Sequence, residues 1–208
     1  MPRPKSLTSS DLATAALVVI DRDGLPALTM RAVAQQLQMA TMALYRYVSD
    51  REQLEILVAD TVLDAIDVTL PPDSDWRDQV AVLLDRLRAA VSAHPAAVPL
   101  VLRYRQASPA TMRWIEAMLT ALTTAGFTGR DRVIAQRSIV DFVLGFLQNE
   151  HYAALTGPGT AAIAELPPTE FPLLVETAAQ ARELSADDEF RGGTDLLLLG
   201  LADHLRRQ

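Results

Sequence analysis

The chain has 208 residues, half of them hydrophobic and only 5% aromatic, with no Cys and a net charge of -7. That length supports one or two domains with a sizeable core, and the composition excludes a disordered or collagen-like chain as well as any disulfide framework or thiolate metal site. No uncharged apolar run reaches the ~18 residues of a membrane span, and nothing behind residues 1–5 resembles a signal peptide, so the expectation is a cytoplasmic protein without a membrane partner.

Ala, Leu, Arg and Gln favour helix, and no alternating Val/Ile/Thr run is bounded by turn residues, so the expected fold class is all-α. Ser9 or Ser10 caps a first helix that buries Leu12, Ala15, Ala16, Val19 and Ile20; Gly24 ends it and Pro26 follows. Thr29 caps a short helix with Val33, Ala34 and Leu37 inward. A break at Gln38-Met39-Ala40 leads to a second short helix over 41–47 that turns Leu44 and Val48 inward. Asp50 caps a longer one with Leu54, Leu57, Val58, Thr61, Val62 and Ala65 on one face. Pro71-Pro72 marks a change of layer. Beyond it come a helix over 76–93, a short helix or turn around 98–102, a helix opened by Ser108-Pro109, and a long helix over 131–152. Residues 156–168, with Gly157-Pro158-Gly159 and Pro167-Pro168, read as a loop before two closing helices over 170–184 and 187–206.

Residues 28–54 carry the most information. Two short amphipathic helices, a tight turn and a longer capped helix form the layout of a helix-turn-helix, whose second short helix enters a DNA major groove. Thr41, Met42, Tyr45, Arg46 and Tyr47 offer hydroxyls and a guanidinium with no acid among them. Tyr and Thr hydroxyls bond phosphate oxygens, and Arg bonds guanine bidentately. The plainer alternative is a helix pair with a half-buried aromatic edge. Charge bears on the choice: residues 1–50 hold five basic and four acidic side chains, net +1, leaving -8 for the rest. Acidity summed over the chain therefore does not exclude DNA.

The run Leu28-Thr29-Met30-Arg31-Ala32-Val33-Ala34-Gln35-Gln36-Leu37, then Ala43-Leu44-Tyr45-Arg46-Tyr47-Val48, then Asp50-Arg51-Glu52-Gln53-Leu54 resembles the signature of the tetracycline-repressor family of bacterial transcription regulators. The resemblance implies an N-terminal three-helix DNA-binding domain over 1–67, with its linking helix from 50. It implies a helical bundle over 68–208 for effector binding and dimerisation. It places Thr29, Tyr45, Tyr47 and Arg51 on backbone phosphates, and Arg31, Thr41, Met42, Ala43 and Arg46 near base edges. The family usually has Gly where this chain has Gln38, which then needs a left-handed backbone. The basic residues Arg3 and Lys5 either follow a groove or hang free.

The stretch from Ala125-Gly126-Phe127 through Gly145-Phe146 to Asn149-Glu150-His151 is similar to the tetracycline-repressor type itself. The histidine that serves a metal-bound drug there falls near Leu102, and no His lies between His94 and His151. No metal site and no cofactor are expected. Candidate effector-pocket residues are Leu84, Tyr104, Trp114, Met118, Phe142 and Phe146, with Arg103, Gln106, Arg137, Asp141 or Asn149 to orient a ligand. Each is alternatively plain core or, for Arg137 and Asp141, a surface pair. Gly192-Gly193 and Leu196 to Leu201 make a helix apolar nearly all round, covered either by a partner chain or by the monomer. Gly157-Pro158-Gly159-Thr160-Ala161-Ala162 fits a loose dinucleotide string but follows a helix, not a strand. The resemblance thus implies a homodimeric repressor released from a palindromic DNA operator by a small-molecule effector. The rivals are a helical protein-interaction module and a small-molecule enzyme.

Overall fold

Thr8, rather than Ser9 or Ser10, caps the first helix. Its hydroxyl oxygen accepts from the Asp11 amide at 3.1 Å, and the Asp11 carboxylate accepts from the Thr8 amide at 2.9 Å. This reciprocal box satisfies two amides that a Ser9 cap would leave open. The computed structural model describes residues 7–207, so Arg3 and Lys5 lie outside the described residues.

The helices are α1 (Ser9–Asp23), α2 (Met30–Gln36), α3 (Thr41–Leu44), α4 (Arg51–Asp64), α5 (Trp76–Ser92), α6 (Val98–Tyr104), α7 (Pro109–Thr124), α8 (Gly129–Tyr152), α9 (Pro158–Ala164), α10 (Pro172–Ala181) and α11 (Ala186–Arg206). No strand occurs among the described residues, in agreement with the all-α expectation. Three further expectations need correction. The helix foreseen over 41–47 is α-helical only as far as Leu44. Tyr47 closes a tighter bond on the Leu44 carbonyl at 2.8 Å, because Ala40 supplies no side-chain cap and two tyrosines weaken the run. The foreseen loop over 156–168 contains α9, where Pro158 takes a first-turn position and Thr160 to Ala164 are compatible with helix. On α4, Ala65 lies beyond the helix end and is exposed, whereas Glu55, Ala59 and Leu63 join the buried face.

The chain packs as two units. The first comprises residues 1–74 and 82–120, and the second residues 75–81 and 121–208. In the first, α1 buries Leu12, Ala13, Ala15, Ala16, Leu17, Val19 and Ile20, a face wide enough to meet both α2 and α4. Val33, Ala34, Leu44, Val48, Leu54 and Val58 complete that core, and Leu83, Leu84, Trp114 and Met118 are buried in the same unit. The second unit centres on Phe190, fully buried, with Phe146 at 4.7 Å and Phe142 at 5.9 Å between ring centroids. Trp76 meets Phe127 edge-on at 5.5 Å. Gly193 permits this packing, since a Cβ there would stand 2.7 Å from Cε2 of Phe142.

Candidate nucleic-acid interface

The turn between α2 and α3 fixes the site. The Met39 amide donates to the Ala34 carbonyl at 2.9 Å and the Gln38 amide to the Gln35 carbonyl at 3.0 Å. This pair of bonds is a Schellman motif, which requires its central residue to be left-handed. Gln38 has φ 55°, as the Gly-to-Gln departure demands. At the start of α2, Thr29 accepts the Ala32 amide at 3.1 Å and remains exposed. Leu44 is wholly buried and Val48 2% exposed, so they anchor α3 from beneath.

With that anchorage, Arg31, Met42, Tyr45 and Arg46 are exposed, and Thr41, Ala43 and Tyr47 are half-buried. Met42 is 77% exposed. Asp50 caps α4 by accepting the Gln53 amide at 2.8 Å, and Ser49 donates its hydroxyl to the same carboxylate at 2.9 Å. The Gln53 amide first, then the Ser49 hydroxyl, hold the Asp50 carboxyl below its usual range. Its charge thus stabilises the start of α4, where Arg51 stands half-exposed.

Sequence reasoning missed three partnered acids on α4. Glu55 accepts from Nε of Arg51 at 2.8 Å and from the Tyr104 hydroxyl at 2.9 Å. Asp60 accepts the Ser108 hydroxyl, and Asp64 pairs with Arg113. These three carboxylates tie α4 to the segment from α6 to α7 within one unit. The available signal was Glu55 itself, an acid in phase with Leu54 and Val58 and four residues after an Arg.

The candidate pocket residues fall in both units. Leu84, Arg103, Tyr104, Trp114 and Met118 belong to the first; Arg137, Asp141, Phe142 and Phe146 belong to the second. Leu84 and Met118 are fully buried, and the Trp114 indole donates to the Leu83 carbonyl at 3.0 Å. Burial first, and then the bond to Glu55, raise the Tyr104 phenol above its ordinary pKa, so it is a neutral donor. Arg103 lies over the Tyr104 ring, 4.9 Å from its centroid. Arg137 and Asp141 form an exposed pair at 3.4 Å on α8, and Gln106 and Asn149 are exposed. An open depression of ≈ 310 Å³ in the second unit is lined by Arg77, Asp78, Ala81, Asp195, Leu198 and Leu199, none of them foreseen.

A family model described as "Tetracyclin repressor-like, C-terminal domain" matches residues 69–205. The chain belongs to the tetracycline-repressor family of transcriptional regulators. An HTH-type transcriptional regulator of Saccharopolyspora erythraea is 33% identical over 148 residues, which are 69% of this chain and 61% of that protein. Apo ActR of Streptomyces coelicolor superposes with a TM-score of 0.82 at 26% identity, covering 100% of this chain and 99% of ActR. ActR has also been crystallised with actinorhodin, and that structure matches at TM-score 0.80 and 26% identity over 95% of this chain and 96% of that one. The structure of BioQ with its double-stranded DNA operator matches at TM-score 0.71 and 26% identity, covering 95% and 99%.

The second unit carries an exposed apolar surface. On α11, Leu196 is 75% and Leu199 56% exposed, between Gly192 and Gly200, which have open space where a Cβ would stand. On α8, Val133 is 59% and Ile134 46% exposed. No helix of the described residues is long and apolar enough to cross a membrane.

Proposed function

We propose that this family member is a cytoplasmic, homodimeric repressor that leaves a palindromic operator when a small-molecule effector binds. The observation that carries the reading is the acid-free exposed surface over 41–47, held outward by the buried Leu44 and Val48. Residues 1–67 form the reading head and residues 68–208 the sensing and dimer-forming part. Thr29, Tyr45, Tyr47 and Arg51 hold phosphates; Arg31, Thr41, Met42, Ala43 and Arg46 meet base edges.

The exposed leucines of α11 and the apolar residues of α8 are the surface that a second copy covers, giving two reading heads related by a two-fold axis. The relatives' structures with operator and with actinorhodin support both halves of this reading. The protein acts by binding, without turnover. The effector favours a placement of the two heads that no longer matches successive major grooves, so effector and DNA affinities are reciprocally coupled. Within the first unit, Leu84, Tyr104, Trp114 and Met118 stay as wall candidates for the pocket and Arg103 as a polar one. Selection of bound DNA from a random pool tests the reading: it recovers a palindrome with wild type and a weaker or altered consensus with Arg46→Ala. Recovery of unrelated sequences refutes it.

A further inference from the structure

We propose that Glu55 is a positioning residue for DNA binding: clamped by the Tyr104 hydroxyl, it holds the Arg51 guanidinium in the orientation that meets the DNA backbone. The inference rests on the reading that Arg51 contacts a phosphate, and goes beyond it by naming what aims that contact.

The geometry is specific. The Glu55 side chain is 11% exposed, while Arg51, one turn earlier on α4, is 49% exposed. A carboxylate this deep needs partners for both oxygens. One oxygen takes Nε of Arg51 at 2.8 Å, and the other takes the Tyr104 hydroxyl at 2.9 Å. Tyr104 is itself 8% exposed at the end of α6, with few places to move. Binding Arg51 through Nε fixes the plane of the guanidinium and leaves the end-on edge formed by its two terminal amino groups open. Those amino groups are the ones that form bidentate contacts with phosphate oxygens. An unheld arginine at a helix start samples many rotamers and loses that freedom on binding DNA; a held one has lost it already. Glu55 thereby places a negative charge near DNA, which helps only if orientation outweighs repulsion.

A double-mutant cycle on the full chain tests this, read as affinity for the selected operator by fluorescence anisotropy. Tyr104→Phe removes one hydroxyl and changes no charge. It is expected to weaken operator binding by about threefold to tenfold in the wild-type background, and not at all when Arg51 is already Ala. Glu55→Gln gives a second readout with opposed signs. Loss of a negative charge alone tightens binding, whereas loss of the clamp weakens it, and weakening is expected. Thermal melts establish that each variant is folded, and if Tyr104→Phe is not, Glu55→Gln decides. The proposal is overturned if Tyr104→Phe binds as wild type, if its loss is as large without Arg51, if Glu55→Gln binds more tightly, or if Arg51→Ala has no effect. Wild type failing to bind any selected DNA is a separate result: it removes the DNA reading itself, and this inference with it.

Discussion

Gln38→Gly should stabilise the protein. The α2–α3 turn bonds Met39 to Ala34 and Gln38 to Gln35, and holds Gln38 at φ 55°. A side chain in that left-handed conformation costs ~1–2 kcal/mol, because Cβ crowds the following carbonyl. Glycine removes the strain but makes the unfolded chain freer, which offsets ~0.5–1 kcal/mol. Since the Gln38 side chain is exposed, its removal forfeits little packing. The net gain is roughly 0–1.5 kcal/mol, centred near 0.7, a rise in Tm of roughly 1–3 °C at the centre for a chain of this size. Gln38→Ala separates the causes, as it deletes the same polar group yet keeps the Cβ. Thermal melts of the three proteins should place Gly above wild type, with Ala level with wild type or below it. If Gly melts at or below Ala, the backbone of this turn is not where the strain resides, and the account of the Gly-to-Gln departure fails.

Other consequences follow from single contacts. Because the Asp50 carboxyl is held below its ordinary 3.8 in the folded state, its contribution is present above that value and lost as pH falls through the lowered one. Asp50→Asn keeps a capping oxygen without the titration, so the Tm gap between wild type and Asn should narrow below pH 4; a constant gap argues against the charge. Gly193→Ala forces a Cβ to within 2.7 Å of the Phe142 ring, a clash of about 1–3 kcal/mol that the better helix propensity of Ala offsets by about 0.5–1 kcal/mol, so a net fall in Tm is expected. A raised Tm would mean that the ring yields freely. Leu196→Asp, at a site 75% exposed in the protomer, should shift sedimentation toward monomer with an unaltered helical circular-dichroism spectrum. A dimer that persists removes α11 from the proposed seam.

How much was legible from sequence depends on the reach of each interaction. The caps at Thr29 and Asp50, the buried pair Leu44 and Val48, and the strained Gln38 are local, since spacing and residue type within a few positions determine them. The cap at Thr8 was missed because two serines followed it and its partner, Asp11, is a shorter acid than the usual Glu. The helix α9 was hidden by its own glycines and prolines, which signal a turn even where Pro158 opens a helix. Glu55 was invisible for a different reason. Its hydroxyl partner lies 49 positions away on α6, and periodicity on α4 cannot see across that distance. The same limit applies to the candidate pocket: Leu84, Tyr104, Trp114 and Met118 are apolar or aromatic groups of the kind that line a space between helices. In the structure each also has core or hydrogen-bonding work that spacing did not reveal.

The central claim is that a chain of net charge -7 binds DNA through a few placed contacts on a nearly neutral head, doubled by symmetry. Equilibrium affinity for a selected palindrome, measured against salt beside a scrambled duplex, tests it most directly. With about four phosphate contacts per half, log K should fall against log salt with a slope of roughly -7, and the scrambled duplex should bind far more weakly throughout. Equal affinity for both duplexes, or an affinity indifferent to salt, would contradict it.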